Sequence, residues 1–218
     1  RSIGKDENID FLAQGDGEFM VAESPAHFAD LQQAADIERR LLGLKVDLHS
    51  REEFAEIGYD APHQHGAVCH RPSFALHPLR YALGLAAAAE RRGAGIHPHS
   101  EVLSWHKQDG MHRLETANGS LIAKQVILTG NGFMPEHLHR GVEGRPLPLQ
   151  SAIVVTRPMS DSELQDKSWH TENPTFNSKH MFFYYRLLAD KRFMLGGRAN
   201  HLGDPEGAEK TFAGLKQS

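Results

Sequence analysis

The sequence contains a single cysteine, Cys69, among 218 residues, so an internal disulfide is excluded and a reducing compartment, by default the cytoplasm, is expected. No apolar run approaches the ~20 residues of a membrane-spanning helix. The net charge of −4 offers no basic surface for nucleic acid or an anionic membrane. The chain also begins without a methionine or a signal peptide, which predicts an internal piece of a longer protein. The oligomeric state stays open.

Histidine, in contrast, is abundant, with fifteen residues. Several lie two positions apart, as His63 and His65 do, and such a pair would share one face of a strand. No cysteine or carboxylate stands beside these pairs at a ligand spacing, and a structural zinc site closes with four ligands. We therefore predict surface and loop histidines and no metal site.

Helix and strand signals alternate along the first half of the chain. Strands are predicted at Glu18–Ala22, Val46–Leu48 and Gly66–Cys69. Helices are predicted to begin at Ser24-Pro25, at a capping box formed by Ser50 and Glu53, and at His77-Pro78. Gly43 is the expected end of the first helix.

The central part of the sequence reads as short strands. Strands are predicted for residues 93–97, 101–106, 111–116 and 126–128, the last of them fully buried because it is entirely apolar. The dipeptide Asn118-Gly119 predicts a tight turn that closes the hairpin, with positive φ at both positions.

Two stretches around this hairpin, ERRGAGIHPHSEVLSW and NGSLIAKQVILTGNGF, resemble the FAD-binding portion of the D-amino-acid oxidase superfamily. The resemblance implies that the backbone of Val102 faces the adenine of FAD. It also implies that Thr129, Gly130 and Asn131 approach the ADP half of the cofactor. Small residues at the end of a strand permit such an approach, since open sheets bind ligands at that edge.

A later stretch, FFYYRLLADKRFMLGGRA, is similar to the glycine oxidase, sarcosine oxidase and gamma-glutamylputrescine oxidase branch of this superfamily. HRPSFALHPLRYALGLAAAAERRGA and RPLPLQSAIVVTRPM match the same branch in the same order. The resemblance implies an FAD-dependent oxidoreductase that transfers hydride from a small-molecule amine or amino acid to the flavin. It implies that Tyr184 contacts the substrate. Arg186 and Arg198 are the candidate holders of a carboxylate, which a guanidinium binds through two parallel hydrogen bonds.

The sequence departs from the family at both ends. The fingerprint G-x-G-x-x-G is absent, and the nearest cluster, Gly15-Asp16-Gly17, lacks the preceding strand and following helix. The family segment that returns to the flavin ring is missing after Ser218. We therefore expect a fragment that alone binds no FAD and is inactive.

The expected fold class is α+β: a mixed, mostly antiparallel sheet with helices on one side, plus a remnant of the FAD-binding domain. The substrate-binding domain is predicted at residues 16–75 and 145–200, a partial FAD-binding domain at 76–135 and a terminal segment at 201–218. Two alternatives remain open. One is a non-catalytic binding or structural module derived from the flavoenzyme fold, and the other is an NAD(P)-linked oxidoreductase, which no residue pattern favours.

Overall fold

The computed structural model describes residues 2–145, 151–166, 168–198, 209 and 212–215. The chain divides into two compact units. The first unit comprises Arg1–Ala87 and Gln150–Ser218, and the second comprises Ala88–Leu149. No helix in the described ranges is long and apolar enough to cross a membrane. The assignment of substrate and FAD-binding roles to particular residue ranges stays a prediction.

The secondary structure consists of short elements. The helices are α1 (Ser2–Asp6), α2 (Pro25–Ile37), α3 (Arg51–Ile57), α4 (Pro78–Arg91) and α5 (Asp161–Asp166). The strands are β1 (Glu18–Val21), β2 (Lys45–His49), β3 (Ala67–Arg71), β4 (Ser104–Gln108), β5 (Met111–Thr116), β6 (Gly119–Ala123), β7 (Ser151–Pro158), β8 (Thr175–Asn177), β9 (Tyr184–Leu187) and β10 (Arg192–Arg198).

The first unit is built on a sheet with the strand order β2-β3-β1-β8-β9-β10-β7. Among its described strands, β1 and β8 run parallel, while the other neighbours run antiparallel. The predicted class, α+β with a mixed and mostly antiparallel sheet, is confirmed. The sheet joins β1–β3 to β8–β10, so it brings residues from both ends of the sequence together.

Alternation along β1 separates the core into two clusters on opposite faces of the sheet. Val68 of β3 packs with Leu31 and Ala35 of α2 on one face. Phe19 packs with Phe54 of α3 on the other. The main helix α2 therefore covers one face, and the short helix α3 contributes a single fully buried ring to the opposite face.

The helix ends follow the sequence signals. The Ser24 side chain accepts a hydrogen bond from the His27 N–H, which caps α2. Ser50 and Glu53 form the predicted capping box of α3. After α2 the chain makes a π-helical turn, Glu38–Leu42, and stops at Gly43 with φ of 64°. Each of these helix boundaries is determined by residues close to it in sequence.

The second unit contains an antiparallel sheet of β4, β5 and β6. The tight turn with positive φ lies between β4 and β5, at Asp109 (φ 51°) and Gly110 (φ 77°). The prediction of such a turn at Asn118-Gly119 is wrong, because Gly119 pairs with Thr116 as the first residue of β6. Asp-Gly satisfies the same backbone requirement as Asn-Gly, so the sequence contained two equivalent signals.

Two predicted strands of this unit do not form. Residues 94–97 and 125–130 are irregular, and Ile127 is 86% exposed rather than buried. A strand needs a neighbouring strand to satisfy its backbone hydrogen bonds, and no described strand pairs with either segment. The apolar composition of residues 126–128 was therefore a poor guide to their burial.

Candidate functional site

A cavity of about 420 Å³ opens in the first unit, on the face of the sheet that carries Phe19. Its aromatic lining comes from Tyr59, Trp169, Phe183, Tyr185 and Phe193, and its polar lining comes from Glu23, His63, Asn177 and Lys179. A volume of this size lies in the usual range of small-molecule sites, ~300–1,000 Å³. The cavity is the candidate site of this chain.

The aromatic residues of the cavity hold one another in place. The rings of Tyr59 and Trp169 are stacked, with centroids 5.2 Å apart and an interplanar angle of 2°. Phe193 packs edge-on against Trp169 at 5.0 Å. The Tyr59 and Tyr185 hydroxyl oxygens lie 2.5 Å apart and share a hydrogen bond. Trp169 Nε1 donates to the Thr171 carbonyl, so the indole orientation is fixed as well.

Burial changes the acidity of the two hydroxyls. It raises the pKa of Tyr59 to about 12, and it raises the pKa of Tyr185 as well. The negative charge of Glu23 contributes to both pKa increases. Both phenols are therefore neutral at physiological pH. A neutral hydroxyl pair can donate a hydrogen bond to a bound molecule, but neither oxygen serves as a base.

The polar end of the cavity is organised around Glu23. One carboxylate oxygen accepts a hydrogen bond from Asn177 Nδ2 at 2.7 Å, and the other lies 3.4 Å from Lys179 Nζ. The Lys179 ammonium also lies 5.8 Å from the centre of the Phe183 ring. Within the described ranges, no three His, Cys, Asp or Glu side chains converge on a metal position. This end of the cavity therefore presents one negative and one positive group.

The sequence-predicted residues Tyr184 and Arg186 lie together on the opposite face of β9 from Tyr185, because side chains alternate along a strand. Arg186 Nη2 donates to the Leu76 carbonyl at 3.2 Å. Its Nε is buried without a hydrogen-bond partner in the described part of the chain, and burial lowers the pKa of its guanidinium. Arg198 ends β10, and its side chain lies outside the described residues.

The cavity residues Tyr59, Trp169 and Tyr185 were missed at the sequence level. The family resemblance implied Tyr184 as the residue that contacts the substrate, whereas its neighbour Tyr185 lines the cavity on the other face of the strand. Tyr59 lies 126 residues from its hydroxyl partner, and no local pattern indicates such a pairing.

The four residues predicted to approach FAD lie in the second unit. Val102 is half-buried just before β4, and Thr129 is exposed. Asn131 has φ of 52°. A Cβ at Gly130 would collide with the Met134 side chain, so local packing already explains why this position is a glycine. The group offers backbone atoms, a hydroxyl and a carboxamide but no cation. The role of these residues toward the adenine and the ADP half of FAD stays a prediction.

Comparison with known proteins identifies the family. The family described as DAO, FAD dependent oxidoreductase, matches residues 1–217. This chain belongs to that family. The match confirms the resemblance to the D-amino-acid oxidase superfamily, and FAD is the cofactor of the family. It also decides against the nicotinamide alternative.

Two curated relatives are similar to the chain. "Probable oxidoreductase OrdL" of Haemophilus influenzae is 33% identical over 124 residues, which is 56% of this chain and 28% of the relative. "Gamma-glutamylputrescine oxidoreductase" of Escherichia coli is 29% identical over 164 residues, or 69% of this chain and 37% of the relative. The matches thus span only about a third of the relatives' lengths.

The fold has a solved counterpart. The glycine oxidase of Geobacillus kaustophilus superposes with a TM-score of 0.73 at 19% identity, over 93% of this chain and 54% of that structure. At this identity the likeness establishes the fold, which matches a flavoenzyme.

Proposed function

We propose that the full-length protein oxidises a small-molecule amine or amino acid and that this chain supplies the substrate cavity. The observation that carries the proposal is the hydrogen-bonded pair Tyr59–Tyr185, held beside Trp169 in a cavity of about 420 Å³. Membership in an FAD dependent oxidoreductase family supports the reaction class. The E. coli relative supports a gamma-glutamylputrescine-like substrate as the finer form of the proposal.

The residues of the cavity bind and orient the substrate. The stacked rings of Tyr59 and Trp169 exclude water from one end and contact the aliphatic part of a substrate. The hydroxyl pair of Tyr59 and Tyr185 is neutral and has one O–H left, which donates a hydrogen bond to a substrate oxygen or to the lone pair of a neutral amine. When bound, FAD supplies the acceptor for the hydride that leaves the carbon beside the amine.

Tyr184, Arg186 and Arg198 remain a second candidate set. The buried Nε of Arg186 without a partner among the described residues is a feature that a substrate carboxylate could satisfy. Tyr184 lies on the same face as Arg186, so these two could act together. An experiment can distinguish the two candidate sites, because Tyr185 lines the cavity and Tyr184 lies on the opposite face of β9.

The test uses the full-length protein and a panel of amines, α-amino acids and N-methyl amino acids. Each compound is mixed with the protein without oxygen, and the loss of oxidised-flavin absorbance is followed. Peroxide is then measured in air. We expect at least one amine of the panel to reduce the flavin. A protein that holds flavin but is reduced by no member of the panel would overturn the proposal and favour the non-catalytic module.

A further inference from the structure

The cavity has two chemically different ends. Tyr59, Trp169, Tyr185 and Phe193 form an aromatic end through mutual ring contacts. Glu23 and Lys179 form a charged end. Asn177 donates a hydrogen bond to the Glu23 carboxylate. A ligand that fills the cavity therefore meets a carboxylate and an ammonium at one end and ring faces at the other.

The two charges of this end are loosely paired. Lys179 Nζ and the Glu23 carboxylate are 3.4 Å apart, whereas a charge-assisted hydrogen bond between such groups spans ~2.7–2.9 Å. The Glu23 side chain is only 18% exposed, while that of Lys179 is 51% exposed. A carboxylate has about four lone-pair sites and an ammonium has three N–H donors. Both groups can therefore take a further partner without releasing Asn177.

We propose that Glu23 and Lys179 bind the zwitterionic aminocarboxylate head of an α-amino acid or of a compound that carries one. Glu23 takes the substrate ammonium and Lys179 takes the substrate carboxylate. The aliphatic arm of the substrate then lies among the rings of the aromatic end, toward the Tyr185 hydroxyl. This inference rests on the proposed function, and it narrows the substrate class to molecules with such a head.

Charge balance favours a zwitterion over a simple amine or a simple acid. The carboxylate of Glu23 and the ammonium of Lys179, both in the cavity lining, have charges that sum to zero. A ligand with one positive charge pairs only with Glu23 and adds a second cation beside Lys179. A ligand with one negative charge pairs only with Lys179 and adds a second anion beside Glu23. An unpaired charge at a partly buried site is costly, and a zwitterion avoids it by pairing both groups.

Three related probes separate these cases: norleucine, pentylamine, which is norleucine without the carboxylate, and hexanoate, which is norleucine without the α-amine. Binding to the full-length protein is measured by calorimetry without oxygen, with any flavin reduced so that no turnover occurs. We expect norleucine to bind about tenfold or more tightly than either analogue, because one hydrogen bond to a charged group accounts for a factor of at least ~10.

Two variants test whether Glu23 binds the ligand ammonium and Lys179 binds the ligand carboxylate. Glu23→Gln keeps an oxygen acceptor for Asn177 but removes the negative charge, so it should weaken the binding of norleucine by about tenfold and leave that of hexanoate unchanged. Lys179→Met should weaken the binding of norleucine by about tenfold without weakening that of pentylamine. Lys191→Met is the matched control, because Lys191 pairs with Asp161 at 2.6 Å and does not line the cavity. It should alter none of the three affinities.

Equal affinity of the unmodified protein for all three probes would overturn the inference. So would variants that weaken the three probes by the same factor. If amines are oxidised but none of these preferences appears, the proposed function stands and the zwitterion site does not. If the preferences appear in the binding measurements but no amine is oxidised, the site stands and the proposed reaction fails.

Discussion

The ring of Tyr184 lies against Gly196, the residue opposite it across β9 and β10. A Cβ placed on Gly196 would lie 2.6 Å from the Tyr184 hydroxyl oxygen and closer still to the ring. On the other face, a Cβ on Gly197 would lie 2.9 Å from the Phe183 ring. The two consecutive glycines at the end of β10 therefore accommodate two aromatic rings, one on each face of the sheet.

This packing predicts that Gly196→Ala destabilises the protein. A methyl group at this position must displace the Tyr184 ring, and overpacking of this kind typically costs about 1–3 kcal/mol of the free energy of unfolding. Denaturant unfolding measures the change. The double variant Gly196→Ala with Tyr184→Ala is the control, because it should lose less stability than the sum of the single changes. An additive result would contradict the contact.

The adjacent tyrosines of β9 provide a second, matched prediction about activity. Tyr185→Phe removes the hydroxyl that lies in the cavity, so it should lower kcat/KM of the full-length protein by roughly ten- to a hundredfold, equivalent to ~1.5–3 kcal/mol. Tyr184→Phe changes the opposite face and should leave kcat/KM close to that of the unmodified protein. Steady-state kinetics on any amine found to be oxidised measures both.

Flavin content and thermal stability are recorded for each of these two variants, so that a folding defect is recognised. The reverse pattern, with a large loss for Tyr184→Phe and none for Tyr185→Phe, would assign the substrate to the face of Arg186. It would thereby support the expectation drawn from the sequence resemblance.

The parts of this structure that could be predicted are those fixed by nearby residues. Ser24 and Ser50 cap their helices through hydrogen bonds to backbone N–H groups three residues away. Gly43 ends the π-helical turn in a left-handed conformation that glycine adopts without strain. The family resemblance supplied the order of the elements and hence the fold class.

What could not be predicted depends on which segments pair across long distances in sequence. The apolar residues 126–128 looked like a buried strand, but no described strand pairs with them. The contact of Tyr59 with Tyr185 requires β8 and β9 to join the sheet of β1, and only that pairing decides which of two neighbouring tyrosines enters the cavity. The alternation of side chains shows which residues of a strand share a face. It does not show which of the two faces lines the cavity.

The turn between β4 and β5 leads to a third prediction. Gly110 has φ of 77°, where a Cβ is disfavoured by about 1–2 kcal/mol even though no atom lies within 4 Å of that position. Gly110→Ala should therefore lower the free energy of unfolding of the second unit by about that amount. Gly119→Ala is the matched control, since Gly119 also has open space around it but no positive φ. Thermal melts of the two variants that coincide would contradict the assignment of the turn.

A fourth prediction concerns pH. Hydrogen bonds from Arg157 at 2.6 and 3.0 Å, and from the Ser160 N–H at 2.8 Å, lower the pKa of Glu163 from 4.5 to about 2. Because the folded-state pKa lies below the unfolded one, the ionised carboxylate stabilises the fold above pH 4.5. This contribution is lost as the pH falls from about 4.5 to about 2.

The measurement compares unmodified protein with Glu163→Gln by denaturant unfolding across that range. Their difference in stability should be largest above pH 4.5 and should shrink toward pH 2. Arg157→Gln, which removes the guanidinium hydrogen bonds but keeps Glu163, is the matched variant and should reduce the change of stability with pH. A difference between Glu163→Gln and the unmodified protein that is constant with pH would contradict the role of Arg157 and Ser160.

The last prediction is that the isolated 218-residue chain binds no FAD and oxidises no amine. The pyrophosphate of a dinucleotide is normally held by backbone N–H groups of a glycine-rich turn at a helix N-terminus. The sequence has no G-x-G-x-x-G. In its nearest glycine cluster, Gly15 and Gly17 meet a backbone and a packing requirement of their own. Gly15 has φ of 72°, and a Cβ on Gly17 would lie 2.5 Å from the Cys69 sulfur.

Loss of several charge-assisted hydrogen bonds, at ~1.5–3 kcal/mol each, weakens binding by many powers of ten, since each ~1.4 kcal/mol is a factor of ten. The family resemblance predicts that Val102, Thr129, Gly130 and Asn131 approach the adenosine end, and it assigns none of them to the phosphates. Titration of FAD into the chain, followed by flavin fluorescence, should show no saturation, whereas the full-length protein should retain flavin through purification. Micromolar binding by the chain alone would mean that other residues of this sequence hold the phosphates.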